Sequence, residues 1–238
     1  MTTTHLSETA PAAHAGGATP TADRARRRAA VAAGAGLLGM AAVAIPANAA
    51  LQPLLGAATP AALADLLATG STGARLALLG FLVVVVLDLV VAWAIARFLE
   101  RDTPSLAALS GWLRVGYAGM LGAAVIRLGE GVRAGADDAA AAHAGVQGFA
   151  EGWRLALLVF GAHLVVVGAA LLRTRGVPRW LGGAVALSGA VYIADTVVRT
   201  VLTDPSAVGT AWTAVVAVLA TVGELGFAVW LLVRGRRS

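Results

Sequence analysis

Along this chain, apolar and polar positions alternate on the scale of whole helices rather than of single residues. Six mostly apolar runs stand out: Ala29–Leu51, Leu76–Phe98, Leu106–Leu128, Trp153–Leu172, Trp180–Leu202 and Ala211–Val233. A helix of roughly 20 such residues matches the hydrocarbon thickness of a bilayer. The pattern therefore predicts an all-α integral membrane bundle of six transmembrane helices. The second run is the plainest, with FLVVVVLDLVVAWAIA at its centre, and the first is diluted by Ala and Gly and broken by Pro46.

Between the runs, two stretches read as exposed loops. Gln52–Ala74 is polar enough for a loop with a short surface helix at Ala61–Ala68, and Gly129–Gly152 carries Asp137, Asp138 and His143. The two aspartates read as solvated loop acids. Residues 1–23 are small, polar and punctuated by Pro and Gly, which reads as a disordered tail. With the Arg24–Arg28 cluster the tail makes a first segment, 1–28. A membrane domain, 29–233, and a basic end, 234–238, follow.

Charge distribution gives an orientation. All 18 basic residues are arginine. With the N-terminus in the cytoplasm, twelve arginines (24, 26, 27, 28, 97, 101, 173, 175, 179, 234, 236 and 237) fall on that side, and five (75, 127, 133, 154 and 199) fall opposite. That is a positive-inside bias, and six crossings return both termini to the cytoplasm, which places the protein in the plasma membrane. The same first run also fits a secretory signal, with ANAA at 47–50 as a small-residue cleavage site. The five apolar runs that follow favour its retention.

Composition agrees. The chain is 58% hydrophobic and only 13% charged, against about 25% charged for soluble domains. Its partner is then the lipid bilayer. A net charge of +5 does not indicate nucleic acid, because the arginines flank apolar runs and form no basic stripe. With no cysteine, thiolate metal sites and thiol nucleophiles are excluded, and no cofactor or metal is expected. GAGLLG at 34–39 has the letters of a dinucleotide-binding turn but lies inside an apolar helix. It reads instead as a small-residue packing surface, as do Gly182, Ala186 and Ala190.

Candidate chemistry lies in the polar residues within the spans, where each charge costs at least about 2.5–3.5 kcal/mol to insert and normally faces the bundle interior. Asp88 falls near the midplane, and Arg114 about 12 Å deep. His163 lies ten residues into the fourth run and Glu224 thirteen into the sixth. The four thus share roughly one level. On the fifth run Tyr192, Asp195 and Arg199 lie on one helix face. The expected pairs are Arg114 with Asp88 or Glu224, and Asp195 with Arg199 or Arg75. Glu151 and Arg154 read as a surface pair.

Two functions fit this cluster. It binds or moves a small solute or protons, or it only fixes helix packing in a non-catalytic structural or interaction protein. An intramembrane enzyme built on Glu224, Asp195 and His163 is disfavoured, because no helix carries two ligands at a metal-binding spacing. The ligand and the oligomeric state, including a homo-oligomer, are left open.

The C-terminal half resembles a known family. FGAHLVVVGAALLRTRGVPRWLGGAVALSGAVYIADT (160–196), followed by GELGFAVWLLVRG (223–235), carries its features at His163, Pro178, Leu181, Gly182, Gly189, Tyr192, Asp195, Gly223, Glu224 and Leu225. The chain resembles the bacterial membrane family catalogued as domain of unknown function 4386, over roughly residues 25–236. Arg75, Asp88 and Arg114 fit it more loosely. The resemblance implies a multi-pass membrane protein and no particular catalysis.

Overall fold

The computed structural model describes residues 20–202 and 209–235. The rest of the expected tail, with His5 and His14, and Arg236 and Arg237 lie outside the described residues. Six helices follow one another without a strand among the described residues: α1 (Pro20–Leu55), α2 (Pro60–Leu99), α3 (Pro104–Ala134), α4 (Ala139–Arg173), α5 (Arg179–Val201) and α6 (Thr210–Gly235). Each is long and apolar enough to cross a membrane. This is a multi-pass membrane protein.

The helices are longer than the apolar runs. α1 begins at Pro20, so the Arg24–Arg28 cluster stands on its first turns. It also continues through Pro46, which was expected to break it. Within a bundle, neighbouring helices compensate the backbone bond that a proline forfeits. Both expected loops shrink as well. Residues 52–74 belong mostly to α1 and α2, and only 56–59 connect them. Thr59 caps α2, its Oγ1 accepting from the Ala62 N–H at 3.2 Å, with Pro60 at the first helical position. The expected surface helix at 61–68 is the start of α2, set off by non-helical backbone at Gly70. It is not on the surface throughout, because Leu63 and Leu67 are buried. Likewise 129–152 is nearly all helix, with a turn at 135–138. Asp138 is the N-cap of α4, accepting from Ala141 N–H at 3.0 Å. Its neighbour His143 reaches across to the Ala57 carbonyl at 3.3 Å.

The helices form a closed ring. Each packs on its neighbours in sequence, α6 returns to α1, and α4 also touches α2 and α1 across the centre. Small residues let the backbones approach. A methyl group added at Gly34 would stand 2.7 Å from the Ala228 carbonyl, and one at Gly168 the same distance from the Gly182 carbonyl. GAGLLG is therefore a helix contact surface. The ridge on α5 runs through Gly182, Ala186 and Gly189; Ala190, expected to belong to it, is exposed. Large apolar side chains such as Val86, Trp93, Trp112 and Trp180 point outward, as lipid-facing surface does.

Candidate functional site

The charged groups expected at one level separate into two neighbouring sites and a corner. Asp88 on α2, Arg114 on α3 and His163 on α4 form the first, and all three are buried. Arg114 Nη2 donates to Asp88 Oδ1 at 2.7 Å, so Asp88, rather than Glu224, is the partner of this arginine. Nη1 of the same guanidinium lies 3.2 Å from His163 Nε2. His163 Nδ1 lies 2.8 Å from the Ser110 carbonyl. A carbonyl only accepts and a guanidinium only donates. The imidazole therefore carries its hydrogen on Nδ1, and Nε2 accepts from Arg114. Met40 Sδ and the Phe160 ring, at 3.7 Å from Nη2 and 5.3 Å from the guanidinium carbon, close the group from the side. Arg114 Nε and Asp88 Oδ2 have no hydrogen-bond partner. None of Asp88, Arg114 and His163 lines the cavity beside them.

The second site lies about one helical turn from the first, on the side away from Arg97, Arg101 and Arg173. It is a cavity of about 190 Å³ to which every helix contributes. Its wall includes Val84 on α2, Tyr117 on α3 and Phe160 on α4. These stand four, three and three residues from Asp88, Arg114 and His163, or about 4.5–6 Å along the helices. Met40 and Phe160 border both the cavity and Arg114, so they form the partition between the two sites.

Glu224 on α6 and Tyr192 on α5 lie together in the cavity wall, Glu224 being the one residue of charged type among the described residues that line it. The Tyr192 hydroxyl donates to Glu224 Oε1 at 3.0 Å. No arginine pairs with Glu224, whereas the other acids inside the spans among the described residues, Asp88 and Asp195, each hold one. The rest of the wall is apolar and aromatic. Phe81, Tyr117, Trp153, Phe160 and Tyr192 line it, five of the chain's thirteen aromatic residues and both of its tyrosines. They brace one another: Tyr117–Phe160 centroids lie 4.7 Å apart, Phe160–Tyr192 5.6 Å and Phe81–Trp153 5.3 Å. Sequence reasoning had Tyr192 and Glu224 but not the other four aromatics. The one signal that pointed to them is rarity, since a chain only 5% aromatic places them at nearly the depth of its buried charges.

Asp195 and Arg199 are on one face of α5, as their spacing indicates, but they belong to a different structure. Asp195 Oδ1 accepts from Arg199 Nε and from Trp212 Nε1, both at 2.9 Å, and Arg199 Nη2 donates to Thr213 Oγ1 at 2.9 Å. These bonds pin the end of α5 to the start of α6. Arg75 pairs with no acid among the described residues. Glu151 and Arg154, expected as a surface pair, do not pair with each other; among the described residues Arg154 Nε is buried without a partner, and the Arg154 carbonyl accepts from Thr196 Oγ1 at 3.3 Å. Among the described residues no three His, Asp or Glu side chains converge as metal ligands would.

The first site is therefore a buried, directly paired charge cluster. The second is a room of molecular size with one acid in its wall.

Comparison with known proteins adds a family and no activity. A family profile described as "Domain of unknown function (DUF4386)" matches residues 32–235. An uncharacterized protein of Archaeoglobus fulgidus is 22% identical over 160 residues, covering 67% of this chain and 84% of its own length. No solved structure matches the chain.

Proposed function

The chain belongs to the family of domain of unknown function DUF4386, and from that premise we propose that this membrane protein binds a small, positively charged solute in the cavity beside Glu224. One observation carries the reading. Glu224 faces a cavity from within the membrane and has no arginine partner. A carboxylate in such surroundings either carries a proton or takes its counter-charge from a ligand, because an isolated buried charge is costly. The aromatic wall supports the second choice: ring faces attract organic ammonium groups within about 6 Å of their centroids. The volume of about 190 Å³ exceeds that of an engineered cavity of about 150 Å³ known to admit benzene, so it suits a solute of a handful of heavy atoms.

Tyr192 orients the carboxylate by its hydrogen bond, leaving the second carboxylate oxygen for the ligand. The Asp88–Arg114–His163 group serves a different purpose on this reading. It joins α2, α3 and α4 directly below the cavity and fixes the shape of its floor. Carriage and sensing share this binding step, and mid-membrane sites of this kind are typical of carriers.

The arginine bias supports placement in the plasma membrane with both termini cytoplasmic, residues 29–233 forming the membrane domain. α1 supplies Leu37, Met40, Ala41 and Ala44 to the cavity wall, which supports its retention in the mature protein rather than removal as a signal.

The test is thermal unfolding of the purified protein in detergent with a series of ammonium ions, from methylammonium to tetraethylammonium, at constant ionic strength. The expected result is stabilisation by one size range in the wild type and none in Glu224→Gln. Equal shifts in both proteins, or no shift with any cation, would count against the reading.

A further inference from the structure

A second recess opens at the arginine-rich end, well away from Glu224. It measures about 140 Å³, and Arg26, Arg27, Arg175 and Arg234 line it. One acid, Asp23, shares the lining, but its carboxylate is engaged by Arg101 at 2.7 Å. Arg26 is held by Asp102 at 2.6 Å and lies over the Phe98 ring at 4.9 Å. Arg27 and Arg175 form no ion pair among the described residues. The recess is therefore net positive even after its internal pairing. Gly176 turns the chain beside it with φ of 79°, and a methyl group there would stand 3.1 Å from Arg234 Nη2.

The base of the recess is aromatic, Phe98 and Trp230 meeting edge to face at 6.0 Å. Trp230 also lines a separate, shallow apolar groove of about 590 Å³ that runs along α6, with Val222, Val229 and Val233, and is bordered by Trp180 at the start of α5. From Val222 to Val233 the groove follows α6 for about 16 Å, close to the ~15 Å depth of one leaflet.

A positive recess at the membrane boundary that adjoins an apolar groove one leaflet long matches a lipid, with its charge at one end and its chain at the other. We propose that this end of the bundle binds one anionic phospholipid, its headgroup phosphate among Arg26, Arg27, Arg175 and Arg234 and an acyl chain in the groove along α6. Guanidinium groups suit phosphate because their paired N–H groups match its oxygens, and basic recesses between helices at a membrane face commonly hold such headgroups. A zwitterionic lipid brings its own ammonium and gains less from a net positive recess. Free phosphate fills the recess but leaves the groove unused.

The experiment compares phosphatidylglycerol, phosphatidylcholine of the same chains and inorganic phosphate as additives to the full-length protein in neutral detergent. Thermal unfolding and native mass spectrometry are the readouts. Phosphatidylglycerol should raise the melting temperature and survive as one bound lipid per chain; the other two should do neither. Arg27→Gln combined with Arg175→Gln should weaken the phosphatidylglycerol response at least tenfold, and Trp180→Ala should weaken it separately. Arg133→Gln, at the opposite end of α3, should leave it unchanged. Both single arginine variants are measured too, so that poor folding of the double variant still leaves a result. Equal responses to the two lipids, an undiminished response in the arginine variants, or an equal response to inorganic phosphate would each overturn the proposal.

Discussion

Asp88, Arg114 and His163 occupy one level of the bundle and Tyr192 with Glu224 the next, yet of the two groups it is the second that lines the cavity. Arg114 is surrounded by a carboxylate, an imidazole, a thioether and an aromatic ring. Glu224 has one hydroxyl and a cavity. Both sites place an ionisable group inside the membrane, so depth alone does not separate structural charges from functional ones. What separates them is where the compensation comes from. The cluster around Arg114 finds it in three other helices, whereas Glu224 forms no ion pair with an arginine among the described residues.

The sharpest way to break this contrast is Arg114→Leu. It strands Asp88 in the interior, and losing one member of a buried pair costs about 3–5 kcal/mol. Adding Asp88→Leu should return part of the loss, which thermal unfolding in a common detergent would read. If the double variant is no more stable than Arg114→Leu alone, the pair is not what holds these helices. His163→Leu comes next. It removes a hydrogen bond to Arg114 and another to the Ser110 carbonyl, and leaving such groups unpartnered costs about 1–3 kcal/mol. Its cation affinity should change far less than its stability; the opposite result would move His163 into the binding site.

Tyr192→Phe sharpens the other side. Losing one hydrogen bond should cost about 1 kcal/mol of stability and, by freeing the carboxylate, weaken cation binding about fivefold. Asp195→Asn should have the smallest effect, at most about 1 kcal/mol, since its pair with Arg199 is partly exposed at the α5–α6 corner. Cation binding there should be unaltered, and a clear loss would extend the site to that end of α5.

The legibility of these features in the sequence followed the same division. The six spans stood out because apolar runs of bilayer length are hard to solvate otherwise. Their ends did not: 52–74 and 129–152 look like loops by polarity, but they are rich in Ala, which favours helix, and α1 to α4 continue beyond the apolar runs. That Arg114 pairs with an acid, Asp88 or Glu224, followed from depth and charge, since an arginine at that depth needs one; which of the two did not. That Glu224 would be left without an arginine did not follow, because depth does not give rotation about the helix axis. The cavity was least legible. Its wall draws Met40, Phe81, Tyr117, Trp153, Phe160, Tyr192 and Glu224 from six helices, and no spacing within one helix records that meeting.

The central claim is that Glu224 receives its counter-charge from a ligand. Equilibrium dialysis of a radiolabelled ammonium ion, chosen as the best stabiliser of the wild type, tests it most directly. The wild type should bind about one ion per chain and Glu224→Gln none, with His163→Leu near the wild-type stoichiometry. Saturable binding of equal strength to the wild type and Glu224→Gln would contradict the account.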